Sequence, residues 1–339
     1  MRAALSPRWR LALAGLLAVA GAPAVALLAA DENADGVRAG GGRWASLQPS
    51  PLARTEVGAA RVGRTIYVVG GFLPPDGATG NQVARYDIET GTWALAAPMP
   101  IAVNHPALAV SGGRIFVYGG FTDSGALTGE TDALQRYDPA TDSWATLTGS
   151  GVRRGAATLA PVGRRLYAIG GVGGGAVQRL VQVYELRSGS WSGGPPMRVA
   201  REHLASGVIG DRIIVLGGRD AGRNLDAVEV LSTRTRKWKR LPRLRTARSG
   251  FQAAVVKGHL VAVGGEQLDE GDQTIAPVEI YDPAEKRWRA LPAMLTPRHG
   301  LGVASRGRTV FAIEGGPQPG LTFSSALEAL RVPRSLLNR

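Results

Sequence analysis

Short apolar runs punctuate the chain at near-even intervals: Ile66 to Val69, Ile115 to Tyr118, Leu166 to Ile169, Ile213 to Leu216, Leu260 to Val263 and Val310 to Ile313. Each is four residues long, rich in β-branched or aromatic side chains and closed by turn formers, the pattern of a buried strand rather than a helix. A second strand precedes each run across a tight turn such as Val62-Gly63-Arg64, and two more follow it. The third ends in Tyr86, Tyr137, Tyr184, Leu231 or Tyr281. Seven residues after each of these comes a tryptophan on the fourth strand, across turns such as Asp138-Pro139-Ala140-Thr141. The unit is therefore four antiparallel strands, repeated.

Two markers fix the period. Glycine pairs begin at Gly70, Gly119, Gly170, Gly217 and Gly264, and a sixth copy reads Glu314-Gly315, giving steps of 49, 51, 47, 47 and 50. Trp44, Trp93, Trp144, Trp191, Trp238 and Trp288 advance by the same series. Two markers sharing one irregular rhythm make a sixfold repeat, and repeats of this length with four strands each are propeller blades.

The Gly pair, the Tyr-Asp of Tyr86-Asp87, Tyr137-Asp138 and Tyr281-Asp282, the Trp, and Pro98-Met99, Pro196-Met197, Leu241-Pro242 or Leu291-Pro292 after it make this pattern similar to the kelch repeat over residues 43 to about 332. The resemblance implies an all-β, six-bladed kelch β-propeller with blades at about 52–97, 101–148, 152–193, 199–241, 246–292 and 297–332. Residues 43–48 carry Trp44 as a fourth strand lacking its three predecessors, and Leu327 to Arg331 form a third strand lacking a Trp partner. The N-terminal strand is thus expected to complete the last blade and leave no open edge.

Ahead of the propeller, Arg2, Arg8 and Arg10 precede an apolar stretch from Leu11 to Ala29 that ends in small-x-small patterns. Residues 1–30 read as a secretory signal peptide, with an uncleaved membrane anchor as the alternative. Residues 31–42 read as a linker and 333–339 as a tail. A periplasmic or extracellular monomer is expected, with no stable membrane span if the signal is cleaved.

Composition narrows the chemistry. The chain has 339 residues, 47 Gly, no Cys, and 40 Lys+Arg against 27 Asp+Glu. Without Cys there are no disulfides, thiolate nucleophiles or iron–sulfur clusters. The kelch-bladed copper radical oxidases of the galactose oxidase type need a Cys-crosslinked Tyr and are excluded. No G-x-S-x-G, H-E-x-x-H or phosphate-gripping glycine loop before a helix is present.

Candidate site residues follow from register. Sixteen residues before each first Gly stand Arg54, Arg154, Arg201, Arg248 and Arg298, with Val103 the exception. Five guanidiniums at one position either make a cationic ring for an anionic ligand or satisfy carbonyls between blades. Fourteen before the Gly the blades differ: Glu56, His105, Ala156, His203, Gly250 and Gly300, with Glu202 and His299 each one place earlier. The kelch resemblance implies that this mouth binds ligand, so Arg54, Glu56, His105, Arg154, Arg201, His203, Arg248, Arg298 and His299 are the binding candidates. A metal centre of His105, His203 and His299 would need side chains from blades 2, 4 and 6 to meet across a wide channel, so neither metal nor cofactor is expected. Glu314, a carboxylate in a glycine's place, reads as a strand slip, as a functional substitution, or as plain degeneration of the repeat in a terminal blade.

Arg234 to Arg248 contains eight basic residues and no acid. Arg234, Arg236, Lys237, Lys239, Arg240, Arg243 and Arg245 form either a solvated face or a rim patch for an acidic protein, anionic lipid or polyanionic glycan. Nucleic acid is not expected, since no aromatic stacking series accompanies the charges. The leading expectation is an exported, non-catalytic propeller that binds a protein or glycan. The alternative is a carbohydrate enzyme similar to the exported sialic-acid mutarotases of the kelch type, with Glu56, Glu202 and His203 as its acid/base candidates.

Overall fold

Apolar four-residue runs bounded by glycine leave the backbone no option but a short, fully buried strand, and each forms the second strand of a blade. The computed structural model describes residues 42–337. It contains six antiparallel four-stranded sheets, each running outward from a central channel. In the first blade these strands are Gly58–Val62, Thr65–Val69, Val83–Asp87 and Thr92–Ala96. The first strands of neighbouring blades contact one another around a closed cycle. Among the described residues no helix is long and apolar enough to cross a membrane. The signal segment and part of the linker lie outside the described residues.

The sixth blade has strand order Trp44–Ser46, Leu327–Arg331, Thr309–Ile313 and Gly302–Arg306 from rim to channel. Trp44 pairs with Leu330 and Ser46 with Glu328, so the N-terminal strand closes the ring.

Packing is between blades. Six apolar clusters form, one at each blade–blade interface; that between blades 6 and 1, for example, joins Phe311 and Ile313 to Ile66 and Val68. Burying such side chains is worth roughly 1.5–3 kcal/mol each. All six repeat tryptophans then donate their indole N–H to a carbonyl of the preceding blade or its exit, from Trp44 to Pro292 O (2.8 Å) through Trp288 to Pro242 O (2.9 Å). Four of them also pack, tilted by 41–51°, against the third-strand Tyr seven residues earlier, with ring centroids 5.0–5.1 Å apart.

The glycine pairs have a steric reason. The first of each pair has φ between +57° and +71°, and a Cβ on Gly70 would sit 2.3 Å from Val103 O of the next blade. The second Gly donates its N–H to that same carbonyl, and the bond recurs at all six interfaces, ending with Gly315 N to Arg54 O at 2.8 Å. At five of these interfaces adjacent blades thus meet backbone to backbone where a side chain would clash, and at the sixth Glu314 stands in the first glycine's place.

Candidate functional site

The residues fourteen before each first glycine converge at the narrow floor of one channel mouth. All six have left-handed backbone: Glu56 (φ 55°), His105 (51°), Ala156 (52°), His203 (51°), Gly250 and Gly300 (61° and 58°). Their peptides form a belt. His105 N–H donates to Glu56 O, Ala156 to His105, His203 to Ala156, Gly250 to His203 and Gly300 to Gly250, and Val57 N–H closes the circle on Gly300 O. Glycine accepts this conformation freely; Glu, His and Ala hold it at a cost of about 1 kcal/mol or more each.

Above the belt lies a pocket of about 450 Å³ lined by the polar side chains Glu56, His105, His203, Arg219, Glu266 and His299, by exposed Asp272, and by the apolar Phe72, Leu127, Leu268 and Leu321. Phe72 sits edge-on to His105, with ring centroids 5.7 Å apart. The polar groups are mutually engaged. Glu56 places Oε2 3.1 Å from His105 Nε2 and Oε1 3.4 Å from His299 Nε2. His105 Nδ1 meets Asn104 Oδ1 at 2.6 Å, and His299 Nδ1 meets Gly316 O at 3.2 Å. His203 Nδ1 donates to Glu202, which also takes Arg219 Nε, while Arg219 Nη1 reaches Glu266 at 2.8 Å and Nη2 lies 3.3 Å from His203 Nε2.

Burial governs the protonation of this cluster. It pushes the Glu56 carboxyl up, with His299 and His203 pulling the other way. Burial, reinforced by His203 and Arg219, holds His105 well below the ordinary histidine range. For Glu202 burial acts upward, but His203 and Arg219 outweigh it and hold the group at about 2. Arg219 is the mirror case: burial acts downward, and Glu202 and Glu266 more than offset it. A neutral His105 facing a Glu56 carboxyl whose ionisation burial opposes is the arrangement these directions describe.

Of the sequence-derived candidates, Glu56, His105, His203 and His299 meet at this floor, with Glu202 directly behind His203. The five arginines do not join them. Arg54, Arg154, Arg201, Arg248 and Arg298 are fully buried in the walls. Each donates Nη1 to the carbonyl of its own blade's first Gly-position residue, sixteen residues on, at 2.6–3.1 Å. The same nitrogen takes a second carbonyl at the entry to the third strand. In all five, Nη1 is spent on backbone left unpaired where the glycine pair breaks the ladder, so the cationic-ring reading gives way to the carbonyl-satisfying one. Counter-charges come from the third strand: Glu229 for Arg201 and Glu279 for Arg248, each at 2.6 Å, and Glu328 for Arg298 at 3.4 Å.

The premise that the channel is too wide for imidazoles from different blades to meet also fails. The belt narrows it, the rings of His105 and His203 lie 4.7 Å apart, and one ligand atom from each of Glu56, His105 and His203 falls within 4.8 Å of the others.

Sequence reasoning missed Arg219 and Glu266. Both stand immediately after a glycine pair, a position held in the other blades by Phe72, Phe121, Val172 and Gly316. In every blade this residue forms a single β-bridge with the one fifteen before the first glycine, as in Glu202 with Arg219 and Ser249 with Glu266. Variation from blade to blade was the available signal at this position too. The basic candidates Arg234, Arg236, Lys237, Lys239, Arg240, Arg243 and Arg245 are all exposed, on or beside the outermost strand Lys237–Leu241 of blade 4. Arg243 pairs with Asp226 at 2.6 Å, and Arg234 lies 4.0 Å from Asp211.

Comparison with known proteins agrees with this architecture. A family model described as the KLHDC2/KLHL20/DRC7 Kelch-repeats domain matches residues 56–198, and the Kelch motif matches residues 200–245 and 247–295. Human Kelch-like protein 4 is 36% identical over 61 residues, 18% of this chain and 8% of that protein's length. The solved structure of YjhT superposes with a TM-score of 0.71 at 16% identity, over 83% of this chain and 95% of that one, which is a likeness of fold.

Proposed function

The chain belongs to the kelch-repeat family of six-bladed propellers, and from that premise we propose that its mouth pocket binds a small, neutral, hydroxylated ligand of the carbohydrate class. The observation that carries this reading is the composition of the 450 Å³ pocket, in which the charge-paired buried groups Glu56, Arg219 and Glu266 share the lining with the apolar Phe72, Leu127, Leu268 and Leu321. A sugar presents the same two characters, hydroxyls around its edge and a C–H face, and pockets of this volume hold ligands of one or two rings.

An anionic ligand fits less well. Arg219 is the guanidinium in the pocket lining, and Glu202 and Glu266 already neutralise it. Anomer exchange of an acidic sugar such as N-acetylneuraminate requires a cation free for the sugar carboxylate, which favours binding of neutral sugars over that chemistry. Saturation-transfer NMR against a panel of neutral mono- and disaccharides tests the proposal. Transfer is expected to at least one sugar, strongest at its C–H face and weakened by Leu321→Ser. A panel with no transfer, or acceleration of N-acetylneuraminate anomer exchange without neutral-sugar binding, overturns it.

A further inference from the structure

The floor of the pocket aims more lone pairs at one region than a sugar requires. The orientation of His105 is fixed through a chain of contacts. Asn104 Nδ2 donates to Asp123 O (3.2 Å) and to Thr79 Oγ1 (2.8 Å), whose own proton goes to Asp123 O. The amide oxygen therefore faces His105 Nδ1, which must carry the ring proton and leave Nε2 a bare acceptor. His203 is set the same way by Glu202 on its Nδ1, and His299 by Gly316 O. Three imidazoles thus keep Nε2 toward the floor, and the Glu56 carboxyl reaches two of these nitrogens from between them.

Facing lone pairs repel unless something positive lies among them. A proton on Glu56 satisfies one contact. A divalent cation satisfies the carboxylate and several imidazoles together. We propose that Glu56, His105 and His203 hold a divalent first-row transition-metal ion, with His299 beside it. Two imidazoles and a carboxylate without a thiolate suit zinc, iron(II) or cobalt(II) and are foreign to magnesium and calcium. An acceptor on the far nitrogen of each histidine is the usual support of metal-binding imidazoles. The belt imposes a left-handed backbone on all six positions, Ala156 included, and this common conformation turns the Glu56, His105 and His203 side chains toward one another. Arg219 Nη2, 3.3 Å from His203 Nε2, competes for that lone pair. Metal binding must displace this contact, while Glu202 and Glu266 keep the guanidinium close. The inference stands apart from the sugar reading, because the probe is the metal alone.

The purified protein, stripped with chelator, is titrated with Co²⁺ and with Zn²⁺. One equivalent is expected to bind, with a cobalt visible spectrum of nitrogen–oxygen ligation. Glu56→Gln and His105→Gln are expected to weaken binding by about 100-fold or more, and Asn104→Ala, which spares every ligand, by about 10–100-fold. Four histidines make the wild-type protein readable by NMR without any variant. Zinc should shift the ring nitrogens of His105 and His203 and leave His259, whose Nδ1 lies 3.2 Å from Lys257 O, unmoved. No binding up to about 1 mM metal, which corresponds to roughly −4 kcal/mol, overturns the proposal. So does binding that the Glu56 and His105 variants leave unchanged, or a zinc shift confined to His259.

Discussion

Arg54 and Glu314 form a bidentate ion pair, 2.8 and 3.0 Å, with both side chains fully buried at the seam between the first and last blades. The pair accounts for a carboxylate where the other blades have glycine. The strand does not slip: Glu314 takes the left-handed backbone of the first glycine (φ 56°) and Gly315 that of the second. Three other arginines of this register find Glu229, Glu279 or Glu328 on their own third strand, but the first blade has Ala84 at that position. Glu314 supplies the missing counter-charge from across the seam and also accepts Ser50 Oγ at 2.7 Å. Glu314→Gly should relieve about 1 kcal/mol of backbone strain yet strand Arg54, which costs about 3–5 kcal/mol. Urea denaturation should therefore show a net loss of about 2–4 kcal/mol. Adding Ala84→Glu should return more than half of it, and an additive double variant would refute the exchange of partners.

Trp44 closes the ring as both packing and hydrogen bond. It is 7% exposed, packs among Val310, Leu330 and Leu291, and bonds Pro292 O. Trp44→Ala should cost about 3–5 kcal/mol and leave Leu327–Arg331 as an exposed edge, so faster aggregation on mild heating is expected. Trp93→Ala, at a less buried copy on an unbroken blade, should cost less. Equal losses in denaturation would show that closure places no special demand on Trp44.

Asp142 gives the fold an acid-sensitive joint. Its Oδ1 accepts the Tyr137 hydroxyl at 2.6 Å and Ala97 N–H of the preceding blade at 2.8 Å. Those two bonds hold its carboxyl below its ordinary 3.8. The folded value is depressed, so the stabilisation is fully present above pH 3.8 and is lost as pH falls below it. Asp142→Asn keeps the left-handed turn but not the charge. It should lower stability near pH 7 by about 1 kcal/mol and make the two proteins converge at the acid end. A constant gap from pH 7 to the acid limit would contradict this origin.

The exposed strand Lys237–Leu241 should attract polyanions through charge alone. Replacing Arg236, Lys237, Lys239 and Arg240 with Ser should bring elution from a heparin column to clearly lower salt, with no change in thermal stability because all four are exposed. Unchanged retention would leave these residues as a solvated face.

The blades were legible because each repeats the same physical demand. A glycine pair where backbones touch and a Trp that reaches the preceding blade cannot drift without disturbing an interface, so both marked the period. The arginines were ambiguous for a physical reason. A guanidinium at a recurring position looks the same in sequence whether it grips a ligand or a carbonyl, and only the position of Gly70 O, 3.0 Å from Arg54 Nη1, separates the cases. Glu56, His105 and His203 were found by their departure from the repeat. Arg219 and Glu266 departed equally but stood past the glycine pair, in hairpins such as Arg219–Asp220 with Arg223–Asn224 that the strand pattern does not mark.

The belt of peptides joining Glu56, His105, Ala156, His203, Gly250 and Gly300 runs head to tail around a closed loop. Peptide dipoles arranged in a line, as in a helix, add to a field at each end; arranged in a loop they cancel. The belt's own hydrogen-bonded peptides therefore add little net field on the propeller's axis, which leaves the side chains they carry to set the charge at the floor. Exchanging a few of those side chains could retune the site from cation to neutral to anion while the ring that carries them stays the same.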